Sequence, residues 1–151
     1  MTSEGHWHSA VVYQVYWRSF KDGNGDGIGD LKGLRSKIGY LSSLGVDAIW
    51  LNPTYPSPQG DHGYDVSNYF DVDPLFGTLE ELEQAIDEFH DHGMAVLLDI
   101  VPNHVSSQHP WFISAKEGGH GHEAESRFII RQGKGDSCLL YTSPSPRDTR
   151  R

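Results

Sequence analysis

The sequence predicts an α/β fold built on parallel strands. Three short apolar runs typical of strands, at residues 11–16, 46–51 and 94–101, alternate with two segments of helical periodicity. The order β, α, β, α, β indicates parallel strands joined by crossover helices. The third run is so uniformly apolar that both of its faces are expected to be covered, as in a parallel sheet.

The first strand and the first helix lie on either side of an acidic loop. Residues 11–16, VVYQVY, are rich in the β-branched and aromatic side chains that favour strands. The first helix is expected to begin at Leu31, with Asp30 as its N-cap and Gly45 as the residue that ends it. Its apolar positions recur at helical spacing. They are Leu31, Leu34, Ile38, Leu41 and Leu44.

The second helix is expected to follow Thr78. Thr78 and Glu81 have the spacing of a capping box, and Gly93 stands where the helix should end. The predicted buried stripe of this helix is Leu79, Leu82, Ile86 and Phe89. The 26 residues before it, 52–77, show no clear period. Loops of that length in compact domains are usually functional or disordered.

Composition limits the class of partner. The 151 residues suit one ordinary domain, and 12 basic against 21 acidic side chains give a net charge of -9. The absence of a basic run argues against nucleic acid or an anionic membrane as partner. No apolar run approaches the ~20 residues of a membrane span, and residues 1–10 do not resemble a signal peptide. With one cysteine, Cys138, and hence no internal disulfide, we expect a cytoplasmic protein.

The stretch DGNGDGIGD, residues 22–30, places oxygen donors on alternate residues. Such spacing suits a hard cation such as Ca²⁺, which takes six to eight oxygen ligands. The pattern is not an EF-hand, because its twelfth position is Gly33 and a strand precedes it. The alternative is a solvated turn of Asp, Asn and Gly. The predicted ligands are the side chains of Asp22, Asn24, Asp26 and Asp30 with the carbonyl of Ile28.

Polar side chains also follow the third strand and occupy the long loop. Asp99 ends an apolar strand, where it has either a functional role or a structural one bonded to backbone amides. His104 follows in DIVPNH and, taken alone, suggests only an exposed histidine. The loop segment DHGYDVSNY offers Asp61 and Tyr64, a mixture of carboxylate and aromatic side chains that suits a sugar site.

Four segments together resemble the N-terminal part of the α-amylase superfamily of glycoside hydrolases, family 13. They are VVYQVYWRSF with DGNGDGIGDL, GVDAIWLNP, GYDVSNY and LLDIVPNH. The resemblance runs from about residue 7 to 135 and is strongest to bacterial α-glucosidases and oligo-1,6-glucosidases. Trp17 departs from it, since many members have proline there.

The resemblance implies a (β/α)₈ TIM barrel of which this chain holds about three of the eight strands. Residues 1–104 would be the first three β/α units, and residues 105–136 the start of a subdomain inserted after strand 3. Residues 137–151 would be a non-native tail. Within that tail, CLLYTSPSPRD resembles one reading frame of a transposase adapter used for sequencing libraries, the alternative being a Pro/Ser-rich linker.

The resemblance also implies roles for individual residues. The loop of Asp22, Asn24, Asp26, Ile28 and Asp30 would bind a structural Ca²⁺ or Mg²⁺ that stiffens the connection between strand 1 and helix 1. In the substrate site, Asp61 would bond the hydroxyls of the terminal glucose, Tyr64 would stack beneath it, His104 would bond a glucose hydroxyl, and Asp99 would order the strand ends.

The implied activity is hydrolysis of α-linked glucose oligosaccharides or disaccharides with retention of configuration. In such enzymes a carboxylate nucleophile and a carboxylic acid stand about 5 Å apart. The resemblance places these residues after strands 4 and 5, and a third acid after strand 7, so this chain alone is expected to be inactive. The expected partner is a small α-glucoside.

Three alternatives remain at this point. One is a transglycosylating or isomerising relative such as trehalose synthase, and another is a non-catalytic binding protein of the same fold. The third is a small free-standing metal-binding domain. As a fragment, the chain is expected to expose Val15, Ile49, Leu97 and Leu98 to water and to aggregate or remain molten when expressed alone.

Overall fold

The computed structural model describes residues 6–118 and 123–129. The chain divides into two compact units, Met1–Pro110 and Trp111–Arg151. The strands are β1 (Val12–Val15), β2 (Ala48–Leu51) and β3 (Ala95–Leu98), and the helices are α1 (Trp17–Phe20), α2 (Leu31–Arg35), α3 (Ile38–Ser43), α4 (Leu79–Asp91) and α5 (Pro110–Gly118). Short 3₁₀ helices span His6–His8 and Glu123–Arg127.

The three strands form one parallel sheet in the order β1-β2-β3. Val15 pairs with Leu51, and Leu51 pairs with Leu98. The predicted α/β class and the parallel pairing are therefore confirmed. Each strand is shorter than its apolar run, because the flanking residues turn into loops at both ends.

The predicted first helix is two helices in the structure. Asp30 caps α2 as expected, with its side chain accepting a hydrogen bond from the Gly33 amide. The expectation of one continuous helix is wrong, because the Ser36 hydroxyl bonds the Gly33 carbonyl and Lys37 leaves helical geometry at φ -108°, ψ 2°. Such side-chain bonds to nearby backbone carbonyls bend or interrupt helices. Gly45 ends α3 at φ +73°, as predicted.

Helix α4 begins and ends as predicted. The Thr78 hydroxyl accepts a bond from the Glu81 amide, and the Glu81 carboxylate accepts one from the Thr78 amide. Gly93 adopts φ +75° after the helix. The predicted stripe needs one correction: Leu79 is 45% exposed, whereas Ala85 is 1% exposed. Leu79 is the first residue of α4, directly after the N-cap Thr78.

The core of the first unit lies between the sheet and the helices that follow it. Trp17, in α1, stacks on Phe76 with ring centroids 5.2 Å apart, and its indole N–H donates to the Asn52 carbonyl at 2.9 Å. The residue that departs from the family pattern is thus 3% exposed and tied to the end of β2. A proline at this position would lack both contacts.

The exposure of the open sheet matches the sequence expectation only in part. Leu97 and Leu98 of β3 are 36% and 47% exposed, as expected for a strand without a following neighbour. Val15 and Ile49 are fully buried, so their predicted exposure is wrong. They belong to the core that includes the helices, which this chain already supplies. The expectation that both faces of the third strand are covered also fails for this chain.

Arg35 of α2 and Glu88 of α4 form an ion pair across the two helices, with the Arg35 Nε atom 3.0 Å from Glu88 Oε2. The hydrogen bond with Arg35 lowers the pKa of Glu88 and raises that of Arg35. Their side chains are 32% and 39% exposed, so the pair adds little stability.

Two helical glycines provide a matched test of backbone packing. A Cβ on Gly33 would overlap the carbonyl oxygen of Lys21, whereas a Cβ on Gly39 would meet nothing within 4 Å. We expect Gly33→Ala to lower the free energy of unfolding by about 1–3 kcal/mol or more. Gly39→Ala should raise it by about 0.5–1 kcal/mol, because alanine loses less entropy in a helix. Urea unfolding followed by circular dichroism measures both, and similar shifts for the two variants would contradict the close approach at Gly33.

The second unit contains α5 and the 3₁₀ helix Glu123–Arg127. Phe112 meets Phe128 edge-on at 5.8 Å, and the Arg127 guanidinium lies 5.5 Å from the centre of the Trp111 ring. The predicted division at residues 104 and 136 stays a prediction, and the suspected tail, 137–151, lies outside the described residues. In the described part of the chain, no helix has the length and apolar character needed to cross a bilayer.

Candidate functional site

Three polar residues extend the strand register at one edge of the sheet. Tyr16, Asn52 and Asp99 directly follow the paired residues Val15, Leu51 and Leu98. The amides of Asn52 and Asp99 still donate to the preceding strand's carbonyls, at 3.2 and 3.3 Å. The carboxyl ends of parallel strands in a (β/α)₈ barrel carry the active site. This row of residues is therefore the candidate functional site.

Asp99 connects the ends of two strands with the long loop. Its Oδ1 atom accepts a bond from the Trp50 indole at 2.9 Å, and its Oδ2 atom accepts one from the Tyr64 hydroxyl at 2.7 Å. Its backbone carbonyl accepts a bond from the Tyr55 hydroxyl. These side-chain donors therefore compensate the desolvation of the half-buried Asp99 carboxylate.

Tyr64 lies at the centre of this network. Its hydroxyl donates to Asp99 and accepts from the Asn52 amide at 3.1 Å. Burial, followed by the hydrogen bond and charge of Asp99, raises the pKa of Tyr64 to about 12, while the bond from Asn52 opposes the rise. The phenol is therefore a neutral donor throughout the physiological pH range.

Gln14 extends the network to the first strand. Its amide donates to the Asn52 Oδ1 atom at 3.1 Å, which links Gln14, Asn52, Tyr64 and Asp99 in one chain of hydrogen bonds. The sequence analysis missed Gln14, Trp50 and Asn52. The available signal was a glutamine in an otherwise apolar strand, but only the strand register shows which residues it meets.

His104 contacts Tyr64 through the backbone. Its Nε2 atom lies 3.0 Å from the Tyr64 carbonyl, and its Nδ1 atom lies 3.1 Å from the Asn103 amide nitrogen. Because a carbonyl only accepts, Nε2 carries the proton in this arrangement and Nδ1 accepts from Asn103. Both ring nitrogens thus have protein partners.

The loop that carries His104 is held by Tyr69, a further residue that the sequence analysis missed. The Tyr69 hydroxyl lies 2.6 Å from the Val101 carbonyl and 2.9 Å from the His104 carbonyl. One hydroxyl proton serves both acceptors, so the bond is shared. The ring of Tyr69 packs against Tyr55 and His109 at 5.6 and 5.8 Å. This packing fixes the direction of the hydroxyl.

Asp61 lies in a tight turn beside Tyr64. The Tyr64 amide donates to the Asp61 carbonyl at 3.0 Å, and the charge of Asp61 contributes to the raised pKa of Tyr64. The Asp61 residue is exposed. The structure therefore brings Asp61, Tyr64, Asp99 and His104 into one neighbourhood.

Tyr16 and His62 complete the surroundings. The Tyr16 hydroxyl is 2.8 Å from the His62 Nδ1 atom, and the two rings meet edge-on at 6.0 Å. This contact joins the end of β1 to the loop of Asp61. Tyr16 was read only as part of a strand in the sequence.

A cleft of about 460 Å³ lies next to this network rather than within it. It shares Gln14 and Tyr16 with the network, and its other lining residues are Tyr13, Ser19, Phe20, Lys37 and Tyr40. Because β1 is an edge strand here, the cleft marks an unpaired sheet edge that a closed barrel would cover. We therefore place the candidate site at the strand ends.

The acidic loop is closed by its own backbone. Asp22 accepts bonds from the amides of Asn24, Gly25 and Gly27, and those from Gly25 and Gly27 lower its pKa the most. Asn24 and Asp26 accept amide bonds two residues ahead, at 2.9 and 2.8 Å. Among the described residues, no three Asp, Glu, His or Cys side chains are gathered as metal ligands. The donors are all hard oxygens, which is the chemistry that Ca²⁺ or Mg²⁺ requires.

A model of the α-amylase catalytic domain matches residues 14–147. The chain belongs to the α-amylase family. The resemblance recognised from the sequence motifs is thus confirmed, and the three parallel strands with their helices are part of the family's (β/α)₈ barrel. The matched range includes part of residues 137–151, for which a non-native tail stays a prediction.

Two relatives of this chain are much longer than the chain itself. A probable α-glucosidase of Rhizobium meliloti (strain 1021) is 50% identical over 119 residues, which are 79% of this chain and 22% of the relative. The probable oligo-1,6-glucosidase 3 of Bacillus subtilis (strain 168) is 46% identical over 128 residues, or 85% of this chain and 23% of the relative. The chain therefore spans less than a quarter of the length of these two relatives.

Solved structures of the family superpose on the same region. The trehalulose synthase MutB, as its A258V mutant with Tris, is 48% identical with a TM-score of 0.82, over 86% of this chain and 23% of that chain. The α-glucosyl transfer enzyme XgtA is 49% identical with a TM-score of 0.72, over 73% of this chain and 21% of that chain. The proteins similar to this chain thus include a trehalulose synthase and an α-glucosyl transfer enzyme as well as glucosidases.

Proposed function

We propose that the whole protein is a retaining hydrolase of α-linked glucose oligosaccharides or disaccharides, and that this chain supplies part of its glucose-binding site. The observation that carries the proposal is the hydrogen-bonded group of Asp61, Tyr64, Asp99 and His104 at the carboxyl ends of parallel strands. The names of the relatives support the substrate class.

In this proposal Asp61 accepts bonds from the hydroxyls of the terminal glucose, because it is exposed and charged beside the network. Tyr64 offers a ring to the sugar while Asp99 and Asn52 fix its hydroxyl. Asp99 acts through Tyr64 and Trp50 rather than on the sugar, since both of its oxygens are bonded to these side chains. His104 bonds the sugar by exchanging one of its present partners.

The nucleophile and the acid would follow strands 4 and 5, so we propose that the isolated chain does not hydrolyse α-glucosides. Retaining hydrolysis needs two carboxyl groups about 5 Å apart across the scissile bond. An isolated chain that hydrolyses an aryl α-glucoside above the buffer rate would contradict this proposal. The predicted cytoplasmic location also stays a prediction.

A chimera tests the role of Asp61. The matched 128-residue segment of the Bacillus subtilis relative would be replaced by the corresponding segment of this chain. We expect the chimera to hydrolyse p-nitrophenyl α-glucoside, and Asp61→Asn to lower kcat/KM by about 10- to 100-fold through loss of a charged hydrogen bond.

The matched control for the chimera is Asp87→Asn, which changes an exposed carboxylate on α4. Its kcat/KM should stay within about twofold of the parent chimera, because exposed groups away from a site contribute little. Equal losses in the two variants, or a folded chimera without activity on any α-glucoside, would contradict the proposed function.

A glucosyl-transferring or isomerising activity is the second candidate. The specific observation in its favour is the 48–49% identity to MutB and XgtA. The same chimera, given sucrose, separates the candidates by its products: free glucose and fructose for a hydrolase, and an isomeric disaccharide for a transferring enzyme.

We also propose that the loop of Asp22, Asn24, Asp26, Ile28 and Asp30 binds a structural Ca²⁺ or Mg²⁺. Its oxygens on alternate residues supply the donors that these ions prefer. When bound, the ion would stiffen the link between β1 and α2. Asp30 would serve the loop and the helix together, since its carboxylate accepts amide bonds from both Gly23 and Gly33.

Titration of Ca²⁺ into the full chain tests the metal proposal. We expect saturable heat and a higher melting temperature with Ca²⁺, because an ion that binds only the folded state stabilises it. Asp26→Asn should weaken binding about tenfold or more through loss of one charged ligand. Asp71→Asn, an exposed carboxylate outside the loop, is the control, and saturable binding unaffected by Asp26→Asn would contradict the ligand set.

A further inference from the structure

Residues 59–65 form a strained loop that carries two groups of the candidate site. Gln59 and His62 are the non-glycine residues with positive φ in the described part of the chain, at 60° and 54°. The Oε1 atom of Gln59 is buried and is without a hydrogen-bond partner. Such costly features persist only where surrounding contacts fix them, and they concentrate at functional sites.

The contacts that fix this loop converge on the carboxylate of Asp65. Its Oδ1 atom accepts bonds from the Ser57 hydroxyl at 2.7 Å and the Asp61 amide at 3.1 Å. Its Oδ2 atom accepts a bond from the Gly60 amide at 2.9 Å. The carboxylate at the end of the loop thus bonds Ser57, which precedes the loop, as well as two amides within it.

Two further observations show that the loop is built around this carboxylate. A Cβ on Gly60 would stand 3.1 Å from the Asp65 Oδ2 atom, so an alanine there would displace this oxygen by a few tenths of an ångström. Burial raises the pKa of Asp65, but the bonds from Ser57, Asp61 and Gly60 outweigh it and leave the pKa below the usual value. The carboxylate is therefore held in its charged, acceptor-only form.

The second support of the loop comes from Asp73. The buried carboxylate of Asp73 accepts bonds from the Ser57 amide and the Gln59 side-chain amide. The Ser57 hydroxyl accepts a bond from the Gln59 amide and donates to Asp65. Ser57 therefore links the two carboxylates, because its amide donates to Asp73 and its hydroxyl donates to Asp65.

We propose that Asp65 is a positioning residue that sets Asp61 and His62 against Tyr64 and Tyr16. This inference rests on the proposed function, because it gives Asp65 a role only if Asp61 meets the sugar. Asp65 itself does not touch substrate: both of its oxygens bond the loop. Its effect passes through the Asp61 amide, which it bonds directly, and through the turn that contains His62.

Amide hydrogen exchange in the full 151-residue chain tests the positioning. Asp65→Asn keeps the shape but replaces one acceptor oxygen with a donor, so Gly60 and Asp61 cannot both keep their bonds. We expect at least one of the Gly60 and Asp61 amides to exchange about tenfold faster or more, while that of Phe89 in α4 is unchanged. Asp71→Asn, an exposed carboxylate, is the control and should change none of the three amides.

A milder variant covers the case in which Asp65→Asn fails to fold. Ser57→Ala removes one donor to Asp65, and it should accelerate the exchange of the same two amides by a smaller factor. The proposal is overturned if neither variant changes Gly60 and Asp61, if Phe89 accelerates equally, or if both loop amides are unprotected in the wild-type chain.

The kinetics of the chimera separate this inference from the proposed function. If Asp65 positions Asp61, Asp65→Asn should raise KM toward that of Asp61→Asn, and the double variant should be little worse than either single one. Additive losses in the double variant would overturn the inference. A folded but inactive chimera, together with faster exchange in Asp65→Asn, would instead overturn the proposed function and leave the positioning by Asp65 supported.

Discussion

Phe89→Ala is expected to remove a large part of the free energy of unfolding of this chain. Phe89 is fully buried in the core of the first unit and is among its largest buried side chains. Truncating a buried phenylalanine costs about 3–5 kcal/mol, because burial is lost and a cavity remains. That loss approaches the lower end of the stability of a small domain, about 5–15 kcal/mol, and this chain has an open sheet edge besides.

The matched control for this variant is Leu79→Ala on the same helix. Leu79 belongs to the same sequence stripe but is 45% exposed, so its truncation should cost less than about 1 kcal/mol. Urea unfolding monitored by far-UV circular dichroism compares the two variants. Equal losses would mean that the sequence stripe, rather than the packing described here, gives the buried face of α4.

Asp99→Ala is expected to lower both the stability of the chain and the pKa of Tyr64. The substitution leaves the Trp50 indole and the Tyr64 hydroxyl without their acceptor. We expect a loss of roughly 2–3 kcal/mol, since both donors are partly buried and water replaces the bonds only in part. Without Asp99, the pKa of Tyr64 should fall from about 12 toward 10, although burial, its largest cause, remains.

The pH dependence of stability follows from the same shift. The pKa of Tyr64 is about 12 in the folded chain and about 10 in the unfolded one, so the folded state binds the proton more tightly. The contribution of Tyr64 to the free energy of unfolding is therefore complete below pH 10 and is lost as the pH rises through 12. Asp99→Ala should make this alkaline decline of stability shallower.

Ultraviolet titration of the tyrosinates measures the shift, and Tyr64→Phe identifies which step belongs to Tyr64. Asp71→Ala is the control, because Asp71 is exposed and its side chain bonds only the adjacent Val72 amide. A Tyr64 titration that does not move in Asp99→Ala would show that burial alone sets its pKa.

Local signals in the sequence determined most of the secondary structure. The capping box of Thr78 and Glu81, the N-cap Asp30 and the C-terminal glycines Gly45 and Gly93 each act within a few residues. Such features depend on backbone geometry that the neighbouring residues set, so they can be read without knowledge of the fold. The family motifs, likewise continuous in sequence, identified the superfamily.

Tertiary contacts decided what the local pattern left open. The exposure of Leu79, the burial of Val15 and the burial of Ile49 all depend on which layer covers each position. None of these is encoded in a window of a few residues, since helical spacing is the same for a covered and an uncovered face.

The candidate site shows the same division. Its charged and aromatic members, Asp61, Tyr64, Asp99 and His104, were singled out from the sequence, and the family resemblance implied their roles. Gln14, Asn52 and Trp50 were not, because their contacts join residues 12 to 49 positions apart that only the register of the parallel strands brings together. The sequence thus determined which chemical groups this chain carries, and the tertiary structure decided which of them meet, because hydrogen bonds depend on distance in space.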